Sequence, residues 1–120
     1  MFTLQHIDHI AFTVKDLEVS ARWYQDVLGL ERHQPSSEPY PIDMISGNTA
    51  IALFPAKADQ QVTRPTWHVA FRADRANYDR AQVVLKERGI PFDIQDHGYS
   101  VSLYLTDPDG HVVEITTYEV

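Results

Sequence analysis

The amino-acid sequence predicts an α+β fold made of two similar βαβββ modules within a single domain of 120 residues. The first observation is a repeat, since Asp-His-Ile-Ala-Phe at residues 8–12 resembles Trp-His-Val-Ala-Phe at residues 67–71. The second is its constant offset: the two histidines are 59 positions apart, and Gly29 and Gly89, predicted to end two helices, are 60 apart. A shared offset between separate features indicates a duplicated structural unit.

Module one is predicted to span residues 1–55 and to begin with a strand at residues 7–14, where β-branched and apolar residues predominate. An amphipathic helix is predicted next, because Asp16 is of the type that caps a helix and Gly29 of the type that ends one. Its apolar face is formed, at helical spacing, by Leu17, Ala21, Tyr24 and Leu28.

The remainder of module one is predicted to be a loop and then a hairpin. Residues 31–41 contain three prolines and two serines, which favours a loop. Residues 42–46 and 49–54 are strand-like, and the Gly-Asn pair between them is typical of a tight hairpin turn. Residues 56–65 are mostly polar and are predicted to link the two modules.

Module two is predicted to span residues 66–120 and to repeat this order. A strand is predicted at residues 67–72, and Asp74 is placed to cap a second helix that ends at Gly89. A type I turn is predicted where Asp107 precedes Pro-Asp-Gly. Three further strands are predicted at residues 92–94, 100–106 and 112–118.

Composition and charge limit the partners that this chain can have. The net charge is −7 and no basic stripe is present, so a nucleic-acid partner is not expected. No apolar run approaches the ~20 residues that cross a bilayer, so no membrane partner is expected either. The chain has no cysteine, which excludes disulfides and Cys-ligated zinc. The N-terminus lacks the pattern of a signal peptide, and a cytoplasmic protein is therefore expected.

Three motifs together point to a family. They are His-Ile-Ala-Phe-Thr-Val-Lys-Asp-Leu at residues 9–17, Trp-Tyr-Gln-Asp-Val-Leu-Gly at residues 23–29, and Leu-Tyr-Leu-Thr-Asp-Pro-Asp-Gly-His-Val-Val-Glu-Ile at residues 103–115. The chain resembles, over essentially its whole length, the vicinal oxygen chelate superfamily, which includes glyoxalase I, extradiol dioxygenases, fosfomycin-resistance proteins and bleomycin-binding proteins. The resemblance implies a cup-shaped mixed sheet, formed by both modules around a divalent metal ion.

The resemblance also implies which residues bind the metal. The superfamily takes its ligands from the first and last strands of each module, and these positions fall on His9, His68 and Glu114. The fourth position falls on Ala52, which has no donor atom. Two imidazoles and one carboxylate suit Fe2+, Mn2+, Ni2+ or Zn2+ and leave positions for substrate. Glu114 lies between Val and Ile, where an unpaired carboxylate is costly to bury, and this also favours a metal partner.

Three more residues of module two are predicted to line this site. Tyr104 lies ten positions before Glu114, the spacing at which extradiol dioxygenases and fosfomycin-resistance transferases place a pocket tyrosine. It is the candidate catalytic residue, because a hydroxyl near a metal can hydrogen-bond a bound oxyanion. Ser102 on the same strand face and His97 in the preceding loop are candidate substrate-binding residues. The other histidines, interpreted as surface residues, are His6, His33 and His111.

Several functions remain open under this resemblance. The preferred prediction is a metal-dependent enzyme, of lyase, isomerase or dioxygenase type, that acts on a small oxygenated substrate chelated to the metal. One alternative is a metal-free, bleomycin-resistance-like protein that sequesters a drug or metabolite, and the acidic charge would suit a cationic ligand. Another is a fosfomycin-resistance-like transferase. The resemblance also implies a homodimer, in which each site lies within one chain or is shared between two.

Each specific assignment within the superfamily lacks one of its expected residues. Ala52 replaces the fourth ligand of glyoxalase I. An extradiol dioxygenase is expected to carry an acid–base histidine shortly before His68, and the region around Leu53 and Phe54 has none. A fosfomycin-resistance transferase is expected to carry Lys and Ser in a cation loop, and residues 94–98 have neither.

Overall fold

The computed structural model describes residues 1–3, 5–63 and 67–120. The chain divides into two compact units, Met1–Val62 and Thr63–Val120, and each has one helix and a four-stranded mixed sheet. Each unit follows the order βαβββ, which confirms the predicted α+β class and its two modules. The boundary between the units falls within the predicted linker, of which residues 64 and 65 lie outside the described part. No helix in the described part is long and apolar enough to cross a membrane.

Module one forms a sheet of strand order β1-β4-β3-β2, in which β1 and β4 are parallel and the other neighbours antiparallel. The Asp16 side chain accepts a hydrogen bond from the backbone N–H of Val19 at 3.1 Å, which confirms the predicted cap. Gly29 ends the helix with φ 70°, a left-handed conformation that favours glycine. The elements are β1 (Ile10–Val14), α1 (Leu17–Leu28), β2 (Glu31–His33), β3 (Ile42–Ser46) and β4 (Thr49–Pro55).

Strand β2 lies in the segment that the sequence predicts to be a loop, so that part of the prediction is wrong. Its three residues are all exposed and polar, and they show no alternation that would indicate a strand. The strand exists because its backbone pairs with β3, with Glu31 opposite Ile45 and His33 opposite Asp43. The middle residue, Arg32, is also tied to α1 by an ion pair described below.

Module two forms a sheet of strand order β5-β8-β7-β6, in which β5 and β8 are parallel. Asp74 accepts a hydrogen bond from the backbone N–H of Asn77 at 2.8 Å, which confirms the second predicted cap. The predicted turn is closed by the backbone N–H of Gly110, which donates to the carbonyl of Asp107 at 3.0 Å. The elements are β5 (His68–Arg72), α2 (Arg75–Glu87), β6 (Asp93–Asp96), β7 (Val101–Thr106) and β8 (Val112–Thr117).

In each module one face of the sheet is apolar and packs against the module's helix. Burial of such side chains stabilises a fold by about 1.5–3 kcal/mol for each large residue. The buried residues of module one include Val14, Ala21, Tyr24, Met44, Ile51 and Leu53, and those of module two include Val69, Tyr78, Leu85, Leu103, Leu105 and Val113. Because strand side chains alternate, the opposite face of each sheet is free to carry polar groups.

Candidate functional site

The two parallel strand pairs place the repeated positions in the same register. Ala11 of β1 pairs with Ala52 of β4, and Ala70 of β5 pairs with Glu114 of β8. In each module the predicted ligand histidine lies two residues before the first-strand alanine. Ala52 therefore occupies in module one the position that Glu114 occupies in module two, as the offset of the repeat predicted.

Glu114 and His68 lie together on the polar face of module two. Oε1 of Glu114 is 3.2 Å from Nε2 of His68, and the carboxylate side chain is 11% exposed while the imidazole is 45% exposed. Two ligand atoms that each lie ~2.1 Å from a metal at right angles are roughly 3.0 Å apart. The spacing and the donor set of this pair therefore fit two adjacent ligands of one divalent metal ion.

A buried hydroxyl network fixes the other oxygen of the carboxylate. Oγ of Ser102 donates to Oε2 of Glu114 at 2.7 Å, and Ser102 has no exposed surface. Oγ of Ser102 is also 2.9 Å from Oγ1 of Thr116, and Thr116 is the donor there because the serine proton is already used. Hydrogen bonds of this kind orient a metal ligand and are part of a metal site's design. The structure thus places Ser102, a candidate substrate-binding residue, against the candidate ligand Glu114.

Tyr104 lies directly opposite Glu114 in the β7–β8 ladder, beside the carboxylate. Its hydroxyl is 3.1 Å from Nε2 of His97, so the structure brings the candidate catalytic residue and the candidate loop histidine together. Burial, and next the negative charge of Glu114, raise the pKa of the Tyr104 hydroxyl. Tyr104 therefore keeps its proton at neutral pH and can donate a hydrogen bond.

His9 lies just before β1 and is exposed. Its Nδ1 is 2.9 Å from the Asp8 carboxylate, an arrangement that favours the Nδ1–H tautomer and leaves the lone pair of Nε2 available as an acceptor or ligand. His9 belongs to a different unit from His68 and Glu114, and within neither module do three His, Asp or Glu side chains converge over the described residues. The three-residue centre therefore stays a prediction.

Three residues that sequence reasoning did not single out lie at one end of the same face. The guanidinium of Arg72 lies over the ring of Tyr118, 4.4 Å from its centroid. The Tyr118 ring stacks on Tyr99 at 6.2 Å, and Tyr99 stacks on His97 at the same distance. Alternation along β8 would place Tyr118 on the face of Glu114. Its contacts with Arg72 and Tyr99 could not be predicted, because they join segments that are far apart in the sequence.

The remaining histidines differ from the prediction at one position. His6 and His33 are exposed, as predicted. His111 is only 7% exposed, so its interpretation as a surface residue is wrong. The turn before β8 folds it inward: its backbone N–H donates to Oδ1 of Asp107 at 2.7 Å, and its carbonyl accepts from the Asp107 N–H at 2.9 Å.

The comparisons with known proteins place the chain in a family. The family model of the Glyoxalase/Bleomycin resistance protein/Dioxygenase superfamily matches residues 6–115. Metallothiol transferase FosB of Staphylococcus epidermidis is 33% identical, over 92% of this chain and 80% of the relative. Glutathione transferase FosA of Serratia marcescens is 27% identical, over 93% and 80%. A solved structure of a putative glyoxalase family protein from Bacillus anthracis shares the fold, with a TM-score of 0.81, 21% identity and 98% coverage of both chains. The chain therefore belongs to the Glyoxalase/Bleomycin resistance protein/Dioxygenase superfamily.

Proposed function

We propose that this chain is a divalent-metal-dependent enzyme that binds a small oxygenated substrate at a centre formed by His9, His68 and Glu114. The observation that carries the proposal is the His68–Glu114 pair, whose facing atoms are 3.2 Å apart while Ser102 holds the second carboxylate oxygen. A bound divalent ion would supply Lewis acidity, which polarises a substrate oxygen and stabilises negative charge that develops on it.

The other residues of the face have roles that follow from their contacts. Tyr104 donates a hydrogen bond from its protonated hydroxyl to substrate bound beside Glu114, and it thereby stabilises an oxyanion. His97 then donates from its Nε2–H to the Tyr104 oxygen, because the single hydroxyl proton is used for the substrate, and this contact fixes the direction of the hydroxyl. Ser102 orients the carboxylate and does not touch the substrate, because it is fully buried. Only Tyr104 is thus proposed as a catalytic residue.

The relatives favour a transferase over a lyase or an isomerase as the reaction type, and a catechol-2,3-dioxygenase of Bacillus subtilis, 26% identical, is also among them. Two of them are named metallothiol transferase and glutathione transferase. We therefore propose that the sulfur of a thiol forms a bond to an epoxide carbon of the bound substrate, while the ring C–O bond breaks and the released oxygen takes up the thiol proton, as in the fosfomycin-resistance-like alternative. Assays with glutathione and other low-molecular-weight thiols, against fosfomycin and other small epoxides, test this type. Turnover of substrate without a thiol would contradict it.

Metal analysis of the purified protein tests the centre itself. Protein stripped with a chelator and reloaded with Mn2+, Fe2+, Ni2+ or Zn2+ is expected to take up one ion per site, measured by elemental analysis and calorimetry. His68→Ala and Glu114→Ala are each expected to weaken uptake at least 100-fold, and His33→Ala, the matched exposed histidine of β2, is expected to bind normally. A wild-type protein that takes up no ion would contradict the proposal. Ligand binding that persists unchanged after chelation would instead favour a metal-free sequestering protein.

We further propose that the protein is a homodimer, and a mixing experiment decides whether each site is shared. His9→Ala and His68→Ala proteins are each expected to bind no metal. If a site combines module one of one chain with module two of the other, a mixed dimer regains one intact site. Mixed protein that regains metal uptake therefore supports the shared arrangement, and mixed protein that does not supports a site within one chain. A monomer by size-exclusion chromatography would contradict the dimer.

A further inference from the structure

The polar face of module two carries large polar and aromatic side chains at both ends. His68, Glu114 and Tyr104 form one end, as described above. Arg72, Tyr118 and Tyr99 form the other end, through one cation–π contact and one ring stack. His97 joins the two ends, because it stacks on Tyr99 and lies 3.1 Å from the Tyr104 hydroxyl. Ala70 lies opposite Glu114, whereas Thr116 lies opposite both Arg72 and Ser102, so Arg72 is one row of the ladder beyond the carboxylate.

Arg72 differs from two other arginines whose contacts are defined. Arg32 is paired with the Glu18 carboxylate, and Arg75 is paired with the Asp79 carboxylate at 3.1 Å. Arg72 is exposed, and among the described residues no carboxylate lies within ion-pair distance of it. A chain of net charge −7 has an excess of carboxylates. An arginine that pairs with none of them is available to bind an anionic ligand.

The contact with Tyr118 leaves the binding edge of this guanidinium open. A cation–π contact uses the flat face of the group and leaves its N–H donors, which lie in the plane, available. Those donors match the geometry of a carboxylate or a phosphate-type group, which they bind in a bidentate manner. Tyr118 is itself held by Tyr99, so the guanidinium is held in place before any ligand arrives.

We infer that Arg72, held by Tyr118, binds an anionic group at the far end of the substrate, an inference that rests on the proposed metal centre. Arg72 pairs with Thr116 and Ala70 pairs with Glu114, so Arg72 is one strand repeat, ~7 Å, beyond the carboxylate. The substrate class is therefore an organic oxyanion that has metal-binding oxygens at one end and a carboxylate or phosphonate roughly 7–10 Å away. Arg72 is the residue that selects it over neutral analogues.

Affinity of the metal-loaded protein for two matched probes tests the inference. 2-Oxoadipate and 2-oxohexanoate share the same metal-chelating 2-oxo acid and chain length, but only 2-oxoadipate ends in a second carboxylate. Calorimetry is expected to give at least tenfold tighter binding of 2-oxoadipate to the wild type. Arg72→Gln is expected to abolish that preference and to leave 2-oxohexanoate affinity unchanged, and Arg72→Lys to retain part of it. A preference that is absent in the wild type, or that survives in Arg72→Gln, overturns the inference.

Arg75→Gln is the matched control, because Arg75 is also exposed and also lies over a tyrosine, 5.6 Å from the centroid of Tyr78. It lies on α2 rather than on the polar face, and its variant is expected to keep the full preference. A general effect of removing one positive charge would lower the preference equally in both variants, and that result also overturns the inference.

An experiment on metal-free protein separates this inference from the proposed function. Inorganic phosphate is titrated into the wild type while the Nε–H resonance of Arg72 is followed by NMR, with the Arg75 resonance as the internal reference. The Arg72 resonance is expected to shift saturably at millimolar phosphate, whether or not the protein binds metal. If the protein takes up no metal, the proposed centre fails and this titration alone decides. An Arg72 resonance that does not respond overturns the inference.

Discussion

The two modules place the same positions opposite each other, but they fill the polar positions with different side chains. Where module two has Glu114 opposite Tyr104, module one has Ala52 opposite Asp43. Two residues further along the last strand, module two has a buried threonine, whereas module one has Phe54. The apolar faces that pack on the helices are alike.

This difference shows which part of a duplicated fold is free to change. The face that packs on the helix must stay apolar in both copies, because it forms the core of each module. The other face is not constrained in this way, and in module two it carries a supported carboxylate, while module one keeps only His9 as a candidate ligand.

The largest effect is expected when the module-two carboxylate is placed at the equivalent position of module one. Ala52 is 3% exposed and lies opposite Asp43, so Ala52→Glu puts a second carboxylate in a buried place directly opposite the first. We expect a loss of about 3 kcal/mol in the free energy of unfolding, measured with urea.

Ala52→Gln separates charge from size, because glutamine has the same shape without the charge. It is expected to cost about 1–2 kcal/mol, from overpacking alone. If the two variants are equally stable, Ala52 tolerates a carboxylate as well as module two does, and the distinction between the two faces is wrong.

The next effect concerns the support of Glu114. Ser102→Ala removes the hydroxyl that holds Oε2, and we expect metal affinity to fall by about 10- to 100-fold while the ligand itself is retained. Ser100→Ala is the matched control, because Ser100 is also buried beside β7 but has no such contact with the carboxylate. Unchanged affinity in Ser102→Ala, measured by competition with a chelator, would show that the network does not support the ligand.

A buried tyrosine on each helix offers a smaller contrast, in which one substitution is expected to raise the free energy of unfolding rather than lower it. Tyr78 on α2 is buried, and its hydroxyl is the one buried side-chain oxygen in the described residues that lacks a hydrogen-bond partner. Tyr78→Phe should therefore stabilise module two by about 1 kcal/mol, because the cost of burying that hydroxyl disappears. Tyr24 on α1 is equally buried, but its hydroxyl is not unsatisfied. Tyr24→Phe is therefore not expected to raise the free energy of unfolding. Equal effects of the two changes would contradict the contrast.

The same tyrosine gives a pH dependence whose sign is fixed. Burial raises the pKa of the Tyr78 hydroxyl above its ordinary value of 10.0, so the folded state holds this proton more tightly than the unfolded state. Stability therefore does not depend on the titration of this group below about pH 10, and it falls as the pH rises from 10 through the folded-state pKa, because the unfolded state loses the proton first. Urea unfolding of Tyr78→Phe should accordingly lose less stability above pH 10 than the wild type does.

The sequence carried enough information to predict the helices, their caps and most strands. Asp16 and Asp74 cap their helices as predicted, because capping depends on residues that are close in the chain. The contact between Tyr104 and His97 could be predicted for a similar reason, because the two residues belong to one hairpin. The contact of Arg72 with Tyr118 was not, because it depends on the pairing of strands that are far apart in sequence.

Strand β2 was missed for a related reason, and it gives the smallest expected effect. Arg32 of β2 donates two hydrogen bonds to the Glu18 carboxylate of α1, one of them at 2.8 Å. Module two has Ala76 at the position equivalent to Glu18, two residues after the capping aspartate, so this ion pair between helix and edge strand has no equivalent at that position. Glu18→Gln should lower the free energy of unfolding only slightly, because an exposed ion pair is screened by solvent and salt.

The pH dependence of that effect identifies its cause. The hydrogen bonds from Arg32 hold the pKa of the Glu18 carboxyl below its ordinary value of 4.5. A depressed folded-state pKa gives stability that is present above about pH 4.5 and is lost as the pH falls through the folded-state value. The difference between wild type and Glu18→Gln should therefore exist at pH 7 and disappear in acid. A difference that persists unchanged at pH 2 would mean that the glutamate acts on α1 by shape rather than by charge, and that β2 is held by its backbone pairing with β3 alone.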